Sequence, residues 1–400
     1  MSSPGTFKIF RLSTTNLNQE FQHSIIISLL RGLAAVEVVA AHLRAQFFPS
    51  LRLLPDPSFW YQALAFFTGF AHQAVVIFFL LSGWLVGGSF LNKMREPGII
   101  ISYAIDRATR MWIVLIPAFL LTLCIGMYTE EIHVGHISYL RDNEYSVTSF
   151  IGNLFGLQDM AVPRFGGNFA LWSLANEIWY YIIFPLVIFT IIGKTAFTKI
   201  AAATACALLA YYLSYEIVLF FSLWLLGVAF SRIQIDATRS FRMLLLLILA
   251  GASVYYRLTG SVNTLIPESF IQDLVLSVIF LLLLSSLQFQ ANRKSLTTRI
   301  ACVLGQWFAP FSFTLYVIHV PLIDLLRYMH VPLASKGLSP TDLGDFVTYA
   351  VLLVFIVFFA YLFHLPFEAQ TNRVRRFIKR VVLQGDAGVR DQSTQVKDFA

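Results

Sequence analysis

Charge is scarce in this chain of 400 residues: Asp, Glu, Lys and Arg together make up only 13% of it. A water-soluble fold carries about twice that share, so an ordinary soluble domain is excluded. Cysteine is scarcer still. Cys124, Cys206 and Cys302 stand inside apolar stretches without metal-type spacing, and read as small buried side chains. The first 24 residues are polar and contain Lys8 and Arg11, and no small-residue cleavage site follows them, which argues against a removable signal peptide. No internal repeat is visible.

What is abundant is apolar surface. Hydrophobic residues make up 57% of the chain, Phe occurs 38 times and the mean hydropathy is +0.70. One aqueous core cannot bury that much, whereas a bilayer solvates it directly. The net charge of +7 sits in short basic clusters between apolar runs, the signature of membrane topology; a nucleic-acid partner is not expected.

A span needs about 20 mostly apolar residues. Candidates are residues 25–48, 70–91, 110–128, 169–192, 198–213, 215–231, 241–257, 270–289, 303–328 and 345–366. The fold class is therefore an all-α integral membrane protein with about ten transmembrane helices. The fifth and sixth candidates are short, with a tight turn at Leu213, Ser214 and Tyr215 between them. With both termini in the cytoplasm, 22 of the 29 Lys and Arg residues fall inside and seven outside, as the positive-inside rule requires. Residues 1–24 then form a cytoplasmic N-terminal segment, 25–368 the transmembrane domain and 369–400 a basic cytoplasmic tail. The loop 129–168 becomes an extracytoplasmic cap carrying Glu130, Glu131, Asp142, Glu144 and Asp159. The run RVRRFIKR at 373–380 reads as a basic helix on the anionic inner leaflet, with disorder expected after Gly385.

An ionisable group at bilayer depth is costly and marks a site by default. The first span carries Arg31, Glu37, His42 and Arg44. Arg31 and His42 are eleven residues apart, which returns to within about 20° of one face some 16 Å further along the helix. Glu37 lies off that stripe and needs its own partner. In IFFLLSGWLVGG (77–88), Ser82, Gly83, Gly87 and Gly88 offer close helix contacts, with His72 at the outer mouth. Arg107 and Arg110, three apart at a helix start, share a face that suits a phosphate. NFALWSLANEIWYY (168–181) places Glu177 about 10 Å below the outer boundary. FSFTLYVIHVPL (311–322) places His319 in the outer half of its span, between Pro310 and Pro321, which kink the helix and open space beside the imidazole. His42, Glu177 and His319 thus come to a similar depth. That trio equally fits a base with its orienting partner, a proton relay in a transporter, or a metal site.

Arg31-Gly32-Leu33-Ala34-Ala35 followed by His42, FFLLSGWLVGG, the Arg107–Arg110 element before Pro117, NLFGLQ (153–158), WSLANEIWYYIIFPL (172–186) and FSFTLYVIHVPL occur in this order. Together they resemble the acyltransferase 3 family over roughly residues 24–368. The resemblance implies a ten-helix membrane-bound O-acyltransferase that moves an acyl group, commonly acetyl from acetyl-CoA, onto a hydroxyl of a surface glycan such as O-antigen or exopolysaccharide. Some family members acylate antibiotics. It implies Arg31 and His42 as the essential pair, Trp172, Ser173 and Glu177 as the Trp-Ser-Leu-x-x-Glu element, and Tyr316 and His319 as the Tyr-x-x-His element. Trp84 stands where Phe is commoner, and Asn176-Glu177-Ile178 replaces a frequent double acid. The stand-alone form is expected, as no esterase-like domain follows the last span.

These expectations combine as follows. Arg31, Arg107 and Arg110 bind acyl-CoA, a co-substrate rather than a bound cofactor; His42, Glu177 and His319 are catalytic, with His42 the general base, Glu177 orienting it or holding its charge, and His319 shaping the acceptor site. Trp172, Ser173, Tyr316, Ser82 and Gly83 support the substrates, and no metal ligands are assigned. The acceptor is a glycan or lipid-linked glycan, and the location is a plasma membrane, the bacterial inner membrane, crossed many times. The competing reading is a transporter or flippase that uses the same His, Glu and Arg residues as a relay.

Overall fold

The computed structural model describes residues 8–132, 143–259, 266–330 and 337–395; Arg141, Asp142, Lys336 and residues 396–400 lie outside the described residues. The chain opens with β1 (Lys8–Arg11), followed by α1 (Gln22–Phe47), α2 (Phe59–Phe67), α3 (Ala71–Ser82), a π-helical turn (Gly83–Gly87) and α4 (Gly88–Lys93). Next come α5 (Ile99–Tyr128), α6 (Val147–Leu154), α7 (Leu171–Ile192), α8 (Ala196–Tyr212) and α9 (Tyr215–Phe230). After β2 (Ile233–Asp236) the chain continues through α10 (Arg239–Thr259), α11 (Phe270–Ser286), α12 (Leu296–Phe308), α13 (Ser312–His330), α14 (Leu343–His364) and α15 (Thr371–Gln395).

The protein is an all-α integral membrane protein. Among the described residues eight helical stretches are long and apolar enough to cross a bilayer, and α8 and α9 are shorter apolar helices. These last two stay separate because the Ser214 hydroxyl caps the Ile217 N–H at 3.4 Å and starts a new helix. α10 turns Leu244, Leu247 and Leu258 outward, a face suited to lipid.

β1 pairs antiparallel with β2, with Lys8 opposite Asp236. This small sheet marks one end of the bundle, called here the strand end; α15 lies at the same end. Residues 8–15 are therefore fixed, a feature that the polar N-terminal sequence does not announce. Opposite charges across the ladder and a bond from the Thr15 N–H to Asn92 Oδ1 at 2.8 Å hold them.

α1 is the central helix, packed by α3, α12, α13 and α14. Glycine sets the closest approaches. A Cβ on Gly32 would stand 2.4 Å from Phe308 Cβ, one on Gly83 2.0 Å from the Trp224 carbonyl oxygen, and one on Gly227 2.2 Å from the Leu80 carbonyl oxygen. α3 and α9 thus touch backbone to backbone.

Prolines free carbonyls inside helices, and neighbouring helices fill them. Pro321 has no N–H for the Val317 carbonyl, which accepts instead from Asn168 Nδ2 at 2.9 Å. Pro185 likewise frees the Tyr181 carbonyl, which accepts from the Tyr103 hydroxyl at 3.2 Å. Pro310 sits in the 3-10 turn Ala309–Phe311 that separates α12 from α13.

α15 docks on α5 at the strand end: Lys379 Nζ lies 2.7 Å from Asp106 Oδ1 and 2.7 Å from Ser102 Oγ. Its backbone stays helical to Gln395, beyond Gly385, where the sequence suggests disorder. The anchored first turns supply the nucleus, so adding residues to the helix is easy.

Candidate active site

A cavity of about 450 Å³ runs between α1, α3, α5, α7 and α13. Its wall on α3 and the π turn extends from Val75 to Val86, about eleven residues and roughly 16 Å along the bundle. The space is therefore elongated, and suits an extended chain better than a compact ring.

Arg31, Arg107 and Arg110 all face this cavity. Arg107 lies over the rings of Tyr103 and Tyr181, its guanidinium carbon 6.0 and 5.5 Å from their centroids, and its buried Nε has no hydrogen-bond partner. Arg110 pairs with Glu368, Nη1 to Oε1 at 2.7 Å, and lies over the Phe313 ring at 5.3 Å. Among the described residues Arg31 has no hydrogen bond or ion pair; the charges it feels are those of Arg110, Glu368 and Glu177. Two guanidinium groups are thus left with donors to spare.

Glu177 faces the same cavity from α7. Its Oε1 accepts from Ser82 Oγ at 2.7 Å and from the Tyr181 hydroxyl one turn along α7. Ser82 is itself held by Trp224 Nε1 at 3.2 Å. The π turn begins directly after Ser82, and a widened helical turn of this kind is common where a side chain must be re-aimed at a site.

Toward the other end of the bundle, the cavity is bounded by Tyr316 and Ser173, whose hydroxyls lie 2.5 Å apart. Beyond that wall stand the histidines. His42 Nδ1 is 2.8 Å from His319 Nε2, and His319 Nδ1 is 2.7 Å from the Tyr316 carbonyl oxygen. Phe169 meets the His42 ring edge-on, centroids 4.9 Å apart. His319 is fully buried.

The structure thus gathers Arg31, Arg107, Arg110, Ser82, Ser173, Glu177 and Tyr316 on one cavity, and His42 with His319 next to it. Two expectations are corrected. Glu177 does not orient His42, whose ring partner is His319, and the carboxylate does not share the histidines' level. The Ser173–Tyr316 bond sets the register: Glu177 lies one turn from Ser173 toward the strand end, His319 one turn from Tyr316 the other way, about 10 Å apart by helical rise. Counting rise from a span boundary failed because α7 starts deep, its Asn168 bonded to Val317 about 20 Å below the end of α13. The set of two histidines and one carboxylate that would hold a metal is accordingly not assembled. The break at Pro310 likewise opens onto the arginine cavity, not beside the imidazole.

Glu37 finds its partner in the Phe70 N–H at 2.8 Å, at the start of α3, and serves there as a cap. His72 pairs with Asp273, Nε2 to Oδ1 at 2.7 Å, tying α3 to α11. Trp172 is partly buried against the core, and Gly83 provides the α3–α9 contact described above. Sequence reasoning missed Tyr181, Trp224 and Glu368. Tyr181 carried a signal, lying one helical turn from Glu177 on the same face. Glu368 was hidden as the last acid before the basic tail.

The acyltransferase domain model of the acyltransferase 3 family matches residues 25–365. No curated protein and no solved structure matches the chain.

Proposed function

The chain belongs to the acyltransferase 3 family and is a membrane-embedded acyltransferase, and from that premise we propose that it carries an acyl group, acetyl in the simplest case, from acyl-CoA to a hydroxyl of a glycan or lipid-linked glycan. The strand end faces the cytoplasm in this reading, the membrane is a plasma membrane, and the acceptor comes from the opposite side.

One observation carries the proposal: a single elongated cavity offers three arginines and ends at the Tyr316–Ser173 wall, next to the His42–His319 pair. Buried cations without matching anions are costly, so spare guanidinium donors are best explained by an anionic ligand. The phosphates of coenzyme A satisfy Arg31 and Arg107, and the pantetheine arm runs along the α3 wall. Glu177, held by Ser82 and Tyr181, balances part of the positive charge.

The chemistry then balances as follows. His42 Nε2 takes the proton from the acceptor hydroxyl while its oxygen attacks the thioester carbonyl carbon. The C–O bond forms, the C–S bond breaks, and the thiolate of coenzyme A leaves with the proton returned from His42.

The test uses purified protein in lipid nanodiscs with acetyl-CoA labelled in the acetyl group and surface glycan as acceptor. Label on the glycan with the unaltered protein, and none with a folded His42→Ala variant, is the expected result. In sealed proteoliposomes, movement of glycan or protons across the membrane without any covalent label would instead favour the transporter.

A further inference from the structure

The hydrogen bonds around His319 determine where the protons lie in the histidine pair. A backbone carbonyl only accepts, so the 2.7 Å contact with the Tyr316 oxygen requires a proton on His319 Nδ1. With both rings uncharged, His319 Nε2 then bears a lone pair. The 2.8 Å contact to that nitrogen must be donated by His42, so His42 carries its proton on Nδ1 and exposes a bare Nε2.

The ring geometry agrees. The planes differ by only 16° and the centroids are 5.1 Å apart, which exceeds the N···N distance by about two ring radii. The rings therefore meet edge to edge, with the N–H aimed along the lone pair, instead of overlapping face to face.

We propose that His319 is a positioning residue: it relays the directionality of the Tyr316 carbonyl to His42 and fixes the tautomer in which His42 Nε2 is the free base. This rests on the reading of His42 as the base that accepts the acceptor's proton. The opposite tautomer would present an N–H there, which cannot take a proton. When His42 becomes an imidazolium, its Nδ1–H bond to His319 strengthens, as charge-assisted bonds do. Because His319 is an uncharged acceptor, it does not hold the proton as firmly as a carboxylate, and His42 can return it to the leaving thiolate. Burial of His319 keeps water from offering His42 Nδ1 a competing acceptor.

The test is the nitrogen NMR spectrum of the full chain, labelled with 15N-histidine, in nanodiscs, with His42→Gln identifying the His42 signals. The expected spectrum has a protonated Nδ1 and an unprotonated Nε2 on His42. In His319→Leu the acceptor is gone, and the Nε2–H form that a free histidine side chain prefers should take over, with kcat down roughly 100-fold or more and KM for acyl-CoA unchanged. In His319→Gln the side-chain oxygen still accepts from Nδ1, and kcat should stay within about tenfold of the original. A proton on His42 Nε2 in the unaltered protein, or the same tautomer with and without the His319 ring, overturns the proposal. The spectrum does not depend on turnover, so an inactive protein with the stated tautomer would count against the proposed substrates and still support the hydrogen-bond chain.

Discussion

Arg110 and Glu368 meet 2.7 Å apart at the strand end of the bundle, joining α5 to the turn between α14 and α15. The carboxylate side chain is 1% exposed and its other oxygen accepts from the Thr314 N–H and hydroxyl at 2.9 and 2.6 Å. One acid therefore caps α13 and neutralises a cavity arginine. Glu368→Ala removes both, and should cost about 3 kcal/mol of unfolding free energy, the low end for a broken buried pair because the arginine is a quarter exposed. Glu368→Gln keeps an acceptor for Thr314 and should cost less. Denaturation in mild detergent measures both; equal losses would show that the charge, not the cap, carries the stability.

Arg31 and Arg107 have the spare donors, so their removal should act on donor binding. Each charge-assisted contact contributes about 1.5–3 kcal/mol, and Arg31→Ala or Arg107→Ala should raise KM for acyl-CoA roughly 10- to 100-fold with a smaller change in kcat. Arg107→Lys keeps the charge but not the flat group over Tyr103 and Tyr181, and should recover only part of the loss. Steady-state kinetics with varied acyl-CoA check this, and a fall in kcat alone would move these arginines from binding to chemistry.

The sequence shows the helices well because lipid enforces long apolar runs, and it brings His42 and His319 to one level because each lies in the same half of its span, where the structure joins them at 2.8 Å. It fails at vertical register. The depth of Glu177 depends on where α7 begins, and that is set by a bond between Asn168 and a carbonyl freed by Pro321, an interaction between segments about 150 residues apart that no local pattern encodes. Glu368 was illegible for a related reason: its partners Arg110 and Thr314 come from other helices. Pro310 does break the helix as read, whereas what Pro321 contributes is an open acceptor for a neighbour.

That account of Pro321 is testable by a double-mutant cycle. Asn168→Ala leaves the Val317 carbonyl buried without a donor and should cost about 1–3 kcal/mol. Adding Pro321→Ala restores the helical N–H to that carbonyl, so the second change should recover a large part of the loss. Additive effects in thermal unfolding of the two single variants and the double would mean that the carbonyl is not the link between them.

The backbone contact between α3 and α9 makes the sharpest contrast within the glycines. A methyl group on Gly83 would stand 2.0 Å from the Trp224 carbonyl oxygen, and one on Gly227 2.2 Å from that of Leu80, and neither backbone can yield without parting the helices. Parting them also pulls Trp224 from Ser82 and so loosens Glu177. Gly83→Ala and Gly227→Ala should therefore lower the yield of folded protein, and what remains should bind acyl-CoA less tightly. Gly251 on α10 has nothing within 4 Å, and Gly251→Ala should be neutral or stabilise by up to about 1 kcal/mol through helix propensity. Size-exclusion profiles and melting temperatures of the three variants decide it: a well-folded, fully active Gly83→Ala protein would mean that α3 and α9 do not pack at this distance.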